Sequence, residues 1–199
     1  MDKIVYHGSS NGNIESLKAH ESTHQRMCIY ATDNKALALL FMSHGNRDLD
    51  TRKGIVDGKI ELVERREGVL ESLYNKDGYL YELDGTTFNH YDYLWSPEVI
   101  SFESEIKPLN VTYCPNILDA LEEEEKKGNI IIYRYPNRPD GMPSDNSDLI
   151  EKYVNFEKQG LTSSISSLLR VYPEFSSYVE ELGYSIEDRT SKEPTGKVL

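Results

Sequence analysis

The chain has 199 residues, which is enough for one buried core with an appendage but not for two large independent domains. Its composition, with 38% hydrophobic and 28% charged residues, is typical of a soluble globular protein and does not favour a disordered chain. The formal net charge of -12 argues against nucleic acid as a partner, because non-specific nucleic-acid binding depends on lysine and arginine neutralising phosphates.

The sequence also lacks features of membrane and secreted proteins. No apolar run is long enough to cross a bilayer, and the first residues lack the basic region and apolar stretch of a signal peptide. Cys28 and Cys114 are too few for a disulfide framework and have no CxxC spacing. We therefore expect a cytoplasmic protein with two reduced thiols and no membrane partner.

The first part of the chain predicts short strands around one buried helix. Lys3 to His7 is typical of a strand that ends at the turn formers Gly8 to Asn13, which would place His7 at a strand end. Met27 to Ala31 predicts a second strand, and helix N-cap candidates follow it. The next helix, Lys35 to Met42, is apolar nearly all round, so we expect it to be buried.

The remaining sequence predicts further strands and then helices. A charged loop is expected over residues 46–53. Strands are predicted over Ile55 to Val63, Tyr79 to Leu83, Glu98 to Glu103, Leu109 to Tyr113 and Asn129 to Tyr133, with a helix over Asn116 to Lys127. A proline-containing linker over 135–147 precedes two or three short helices over 148–182. We predict a first domain over residues 1–135 and a helical extension over 145–185.

Two motifs carry a family resemblance. Tyr6-His7-Gly8-Ser9, and Ile29-Tyr30-Ala31-Thr32 followed by an alanine-rich helix, resemble ADP-ribosyltransferases of the His-Tyr-Glu type, which include diphtheria toxin and the poly-ADP-ribose polymerases. The resemblance covers residues 3–42 and, more loosely, 79–113. It implies an α+β fold with a split, mixed, mostly antiparallel sheet and flanking helices, and NAD as the substrate.

The resemblance also implies roles for individual residues. His7 would hydrogen-bond a ribose of NAD, Tyr30 would stack on the nicotinamide ring, and a glutamate would lie beneath the ribose. Pro97-Glu98-Val99-Ile100 resembles the strand start where relatives carry that glutamate, which assigns the role to Glu98. Glu103 and Glu105 are the alternatives, because a shift of register within the strand would change which carboxylate reaches the site.

The expected reaction explains why a glutamate is needed near the ribose. Cleavage of the nicotinamide-ribose bond passes through an oxocarbenium-like transition state, whose positive charge a nearby carboxylate stabilises. The implied activity is transfer of ADP-ribose from NAD to an unidentified acceptor, a protein among the candidates, or to water. Each candidate also has a structural interpretation: His7 as a cap of backbone carbonyls, Tyr30 as a core aromatic residue and Glu98 as an exposed strand-edge residue.

Three small residues near the motifs are further candidates for contact with NAD. Gly8 would allow close approach of the backbone to a ligand. The hydroxyl groups of Ser9 and Thr32 could contact the dinucleotide, although turn formation explains Ser9 and helix capping explains Thr32 equally well.

Two other classes of function stay open. One is a non-catalytic domain of the same fold that binds a nucleotide or a protein. The other is a zinc peptidase, because His20-Glu21-Ser22-Thr23-His24 fits the H-E-x-x-H pattern. Charged neighbours and the lack of an obvious third ligand favour a chance match in a surface loop, so we expect no metal.

Overall fold

The computed structural model describes residues 3–21, 26–43, 48–161 and 163–184. The chain forms two compact units, Met1–Tyr133 and Arg134–Leu199. Helices and mostly antiparallel strands occur in similar amounts, which confirms the predicted α+β class. Within the described ranges, no helix has the length and apolar character needed to cross a membrane.

The first unit contains all the strands of the described residues. They are β1 (Ile4–Ser9), β2 (Leu17–Lys18), β3 (His20–Glu21), β4 (Met27–Thr32), β5 (Thr51–Val56), β6 (Lys59–Glu64), β7 (Gly78–Asp84), β8 (Glu98–Ser101), β9 (Glu105–Ile106), β10 (Asn110–Cys114) and β11 (Ile130–Tyr133). Its helices are α1 (Lys35–Phe41), α2 (Val69–Tyr74) and α3 (Ile117–Lys126). The second unit contains α4 (Asp148–Lys158), α5 (Ser164–Val171) and α6 (Ser176–Glu181).

The strands form three sheets. The largest has the order β10-β7-β1-β4-β3, with β8 paired to β4. A second sheet has the order β11-β6-β5, in which β11 is parallel to β6 and the other pair is antiparallel. Strands β2 and β9 form an antiparallel pair. The arrangement is therefore mixed but mostly antiparallel.

The largest sheet opens between β1 and β4. Strand β1 pairs with β7 along its whole length, whereas its register with β4 is given by one pair, Tyr6 opposite Thr32. Beyond that pair, the His7 side chain makes a hydrogen bond with the carbonyl oxygen of Tyr30. A side chain thus bridges two strands that no longer share a backbone ladder.

Helix α1 packs against β1 because its sequence is apolar on nearly every side. Ala36 to Leu40 are all buried, and the helix joins a core cluster that includes residues of α2, α3, β6 and β11. A second cluster, to which Val5, Ile29 and Leu83 belong, covers the other side of the largest sheet. The predicted buried helix is confirmed.

Helix α1 begins at a side-chain cap. The Oδ1 atom of Asn34 accepts a hydrogen bond from the Leu37 backbone N–H at 3.1 Å. Asn34→Ala removes this acceptor, and we expect the free energy of unfolding to fall by about 1 kcal/mol in urea denaturation. Asn34→Asp, which keeps an acceptor, is the matched control. An equal loss in both variants would contradict the capping role.

The predicted end of strand β1 is wrong. The sequence places a turn from Gly8 onward, but the strand continues through Ser9, with Gly8 opposite Leu80 and Ser9 opposite Tyr79. Pairing with β7 fixes the extended conformation, because tertiary contacts override the turn preference of glycine and serine. His7 therefore lies inside a strand and not at its end.

The region between α1 and β7 differs most from the sequence prediction. The predicted strand over Ile55 to Val63 is a hairpin of β5 and β6, turned by Asp57 (φ 51°) and Gly58 (φ 76°). Positive φ at both turn residues is the type I′ geometry that suits a two-residue hairpin. The predicted charged loop over 46–53 ends earlier, since β5 begins at Thr51. The polar connection before β7 contains α2.

Candidate active site

A cleft of about 430 Å³ lies in the first unit, where β1 and β4 separate. The described residues that line it come from β1, β3, β4, α1 and β8, and they are Tyr6, His7, Gly8, His20, Glu21, Tyr30, Ala31, Phe41 and Glu98. Its volume is within the range of small-molecule sites. Four candidates taken from distant parts of the sequence, His7, Gly8, Tyr30 and Glu98, thus line one cavity.

Strand register explains why Tyr30 and Glu98 meet. Glu98, the first residue of β8, lies opposite Thr32, and Tyr30 lies two residues before Thr32 on β4. Directly opposed residues of an antiparallel pair project to the same face, as do residues two apart on a strand. Tyr30 and Glu98 therefore share one face of the sheet, and both are half-buried.

The contacts of His7 define its tautomer. Its Nδ1 atom lies 3.0 Å from the carbonyl oxygen of Tyr30, and because a carbonyl only accepts, Nδ1 carries the proton. Burial lowers the pKa of His7 below the ordinary value; the bond to Tyr30 opposes this change, and the charge of His20 adds to it. The ring is therefore neutral near pH 7, with Nε2 as a hydrogen-bond acceptor.

The lowered pKa of His7 predicts a pH effect on stability. Below about pH 6.5 the unfolded chain takes up a proton at His7 more readily than the folded protein does, so the free energy of unfolding decreases as the pH falls. We expect His7→Asn to reduce this decrease in urea denaturation between pH 7.5 and 5.5. An unchanged slope in the variant would contradict the assignment.

A buried tyrosine supports His7 from the neighbouring strand. Tyr81 lies opposite His7 on β7, and the two rings meet edge to face with centroids 6.3 Å apart. The Tyr81 hydroxyl donates a hydrogen bond to the Asn11 carbonyl oxygen at 2.6 Å and accepts one from the Ile14 N–H at 3.3 Å. Tyr81 therefore holds both His7 and the loop after β1 in position.

Two of the predicted NAD contacts are engaged elsewhere. The hydroxyl of Thr32, which is buried, donates to the Pro97 carbonyl oxygen at 2.6 Å and accepts from the Asn34 N–H at 3.0 Å. The hydroxyl of Ser9 accepts from the Asn11 N–H at 3.1 Å. Neither residue is among the described residues that line the cleft. Both hydroxyl groups therefore bond within the chain in this structure, and their assignment as cofactor-binding residues stays a prediction.

The structure also separates the three candidate carboxylates. Glu98 lines the cleft, whereas Glu103 follows the end of β8 and is exposed. Glu105 is exposed on β9, where its carboxylate accepts a hydrogen bond from Ser16. Of these three, Glu98 alone lines the cleft in the described part of the chain.

Five residues of the cleft are not among the candidates predicted from the sequence: Tyr6, His20, Glu21, Ala31 and Phe41. The H-E-x-x-H pattern drew attention to His20 and Glu21, but a zinc motif needs a helix, and these two residues form strand β3. Ser22 to His24 lie outside the described residues. In the described ranges, no group of three or more His, Cys, Asp or Glu side chains is placed to hold a metal ion.

His20 reaches the cleft because β3 pairs with β4. It lies opposite Cys28, and its ring centroid is 6.5 Å from that of Tyr30. A strand of two residues is too short to show hydrophobic alternation in the sequence. The contact between His20 and Tyr30 is therefore visible only once β3 is paired with β4.

Comparisons of the chain with protein-family models, with curated proteins and with solved structures found no match. The chemistry of the cleft residues therefore carries the functional argument.

Proposed function

We propose that the cleft binds the nicotinamide end of NAD and that the protein cleaves the nicotinamide-ribose bond, transferring ADP-ribose to an acceptor or to water. One observation carries this proposal: His7, Tyr30 and Glu98, which the family resemblance selects from separate segments, line a single cavity. The hydrogen bond of His7 to the Tyr30 carbonyl oxygen brings two of the three together as a structural contact, and Glu98 adds a carboxylate to the same cavity. The reaction needs them together.

Aromatic side chains and a neutral imidazole suit the binding step. Tyr30 and Phe41 line the cleft, and aromatic rings are the side chains on which a flat nicotinamide would stack. The Nε2 atom of His7 can accept a hydrogen bond from a ribose hydroxyl, because Nδ1 is fixed as the donor to Tyr30. These groups would orient the dinucleotide before bond cleavage.

The carboxylate of Glu98 suits the chemical step. As the bond from C1′ of the ribose to the nicotinamide nitrogen breaks, its electron pair goes to the nicotinamide, which leaves as a neutral molecule. The positive charge left on the ribose is stabilised by a carboxylate in a half-buried position, where electrostatic attraction is stronger than in water. The acceptor then forms a bond to C1′ and releases a proton.

The proposed setting of this reaction is the cytoplasm. Cys28 and Cys114 are both free and buried, which suits a reducing compartment. The net charge of -12 favours acceptors that are not polyanions, a protein among them.

A non-catalytic binding domain is the second candidate, because the same cleft would hold NAD without turnover. Isothermal titration with NAD, combined with an assay for released nicotinamide, separates the two. The enzyme is expected to bind NAD and release nicotinamide over many turnovers. Binding without release, unchanged by Glu98→Gln, would favour the binding domain.

Substitution of Tyr30 tests the location of the nicotinamide. Loss of a stacking ring typically weakens binding of a flat base by about 5- to 100-fold, and we expect this increase in the Kd for NAD in Tyr30→Leu. Tyr30→Phe keeps the ring and should bind NAD more tightly than Tyr30→Leu. Tyr93→Leu, at an exposed tyrosine outside the cleft, is the control. Equal affinity in all three variants would contradict the proposed site.

A further inference from the structure

A second pocket lies beside the cleft in the first unit. Its volume is about 570 Å³, and Tyr6 lines both cavities. Lys35, Lys59 and Lys127 line the second pocket, which we therefore call the lysine pocket. Its polar lining distinguishes it from the more apolar cleft.

The three lysines come from three separate elements. Lys35 is the first residue of α1, Lys59 is the first residue of β6, and Lys127 follows the last residue of α3. Two carboxylates, Asp33 and Glu124, share the pocket with them. Positive charge is thus in excess at this place, on a chain whose net charge is -12.

A buried glutamate positions two of the lysines. Glu124, which is 3% exposed, accepts hydrogen bonds from Lys127 Nζ at 2.8 Å and from Asn129 Nδ2 at 2.7 Å. Lys35 Nζ lies 4.0 Å from the same carboxylate. Burial opposes ionisation of Glu124, but these bonds and charges outweigh it and hold its pKa below the ordinary value. The ionised carboxylate keeps two ammonium groups at the pocket.

The third lysine has a different environment. Among the described residues, Lys59 takes part in none of the ion pairs, and Asp33, the remaining carboxylate of the pocket, pairs with His90 at 3.0 Å. The ammonium of Lys59 lies beside Gly128, 3.7 Å from the position that a Cβ atom would take there. A cation that lines a concave, polar pocket without a carboxylate partner is suited to an anionic ligand.

We propose that the lysine pocket binds a phosphate group, as a diphosphate or a phosphate ester. Lysine ammonium groups are common phosphate ligands, and with Asp33 and Glu124 counted the pocket still has an excess of positive charge that favours an anionic group. The shared residue Tyr6 gives the group two possible sources: the diphosphate of the dinucleotide in the cleft, or a small phosphorylated acceptor bound next to it. Only the first source rests on the proposed function.

Titration with inorganic diphosphate, without NAD, tests the pocket itself. We expect the full chain to bind diphosphate, and Lys59→Gln to weaken this binding about fivefold, the loss typical of one partly exposed charge contact. The matched control is Lys126→Gln, which removes an exposed lysine next to Lys127 that pairs with Glu123 outside the pocket. This control should bind diphosphate as the wild-type chain does.

Two results would overturn the proposal: no binding of diphosphate by the wild-type chain, or the same loss in Lys59→Gln and Lys126→Gln. A competition arm then identifies the source. If NAD displaces diphosphate and Lys59→Gln also weakens NAD binding, the pocket holds the diphosphate of NAD. If the two ligands bind independently, the pocket is separate from the NAD site, as expected for a phosphorylated acceptor. Diphosphate binding without any NAD binding would overturn the proposed function and leave the lysine pocket standing.

Discussion

Glu98→Gln is expected to lower the rate of nicotinamide release by about 100- to 1,000-fold and to leave the affinity for NAD close to the wild-type value. The substitution keeps the size of the side chain and removes its negative charge. A carboxylate that stabilises charge developing in the transition state contributes little to ground-state binding, so kcat falls while Kd is retained. Nicotinamide release under saturating NAD measures the first quantity and calorimetric titration measures the second.

The control for this prediction is Glu103→Gln. Glu103 lies five residues further along the chain, is exposed and does not line the cleft, so its amide variant should release nicotinamide at the wild-type rate. A rate in Glu98→Gln equal to the wild-type rate would contradict the catalytic assignment. So would a comparable loss in the Glu103 variant.

Gly8→Ala is expected to have the largest effect on stability. A Cβ atom at this position would lie 1.8 Å from the carbonyl oxygen of Ala38 and 2.8 Å from its carbonyl carbon. Both are backbone atoms of α1, which is buried on nearly every side and therefore cannot shift without disturbing the core. We expect the free energy of unfolding to fall by about 3 kcal/mol or more, measured by urea denaturation.

Gly54→Ala is a matched control for Gly8→Ala, since both glycines lie on strands. At Gly54 the nearest atom to a new Cβ is the Oε1 atom of the Glu61 side chain at 3.3 Å, and the backbone atoms of a helix are not involved. The control is expected to change stability by about 1 kcal/mol or less. Similar losses in the two variants would contradict the close approach of β1 and α1.

The elements that the sequence predicts well are those with strong local signals. Helix α1 is apolar on nearly all sides and is capped by Asn34, and α3 is capped by Asn116 and followed by Gly128 with positive φ. Each signal lies within a few residues of the element. The structure confirms both helices.

The missed elements lack such signals or have conflicting ones. Helix α2 has six residues and follows Gly68, which provides no side-chain cap. The β5–β6 hairpin turns at Asp57-Gly58, but the apolar residues on both sides of this pair led to the prediction of one continuous strand. The pairing of β1 beyond His7 depends on β7, far away in the sequence, and no local pattern encodes it.

The residues of the candidate site also divide into those that the sequence identifies and those that only tertiary pairing brings to the cleft. The family resemblance singles out His7, Tyr30 and Glu98, and the cleft brings them together. His20 and Glu21 reach it through a two-residue strand, which residue periodicity does not predict. Thr32 fits both a ligand contact and a helix cap in the sequence, whereas in the structure Asn34 caps α1 and the Thr32 hydroxyl bonds to the Pro97 carbonyl oxygen and the Asn34 N–H.

The most direct test of the central claim is a crystal structure of Glu98→Gln soaked with NAD, because the slow variant should retain the intact dinucleotide. We predict the nicotinamide ring on the face of Tyr30, a ribose hydroxyl at Nε2 of His7, and the substituted amide side chain beneath the nicotinamide ribose. NAD bound away from these three positions, or an empty cleft in crystals that contain saturating NAD, would contradict the account.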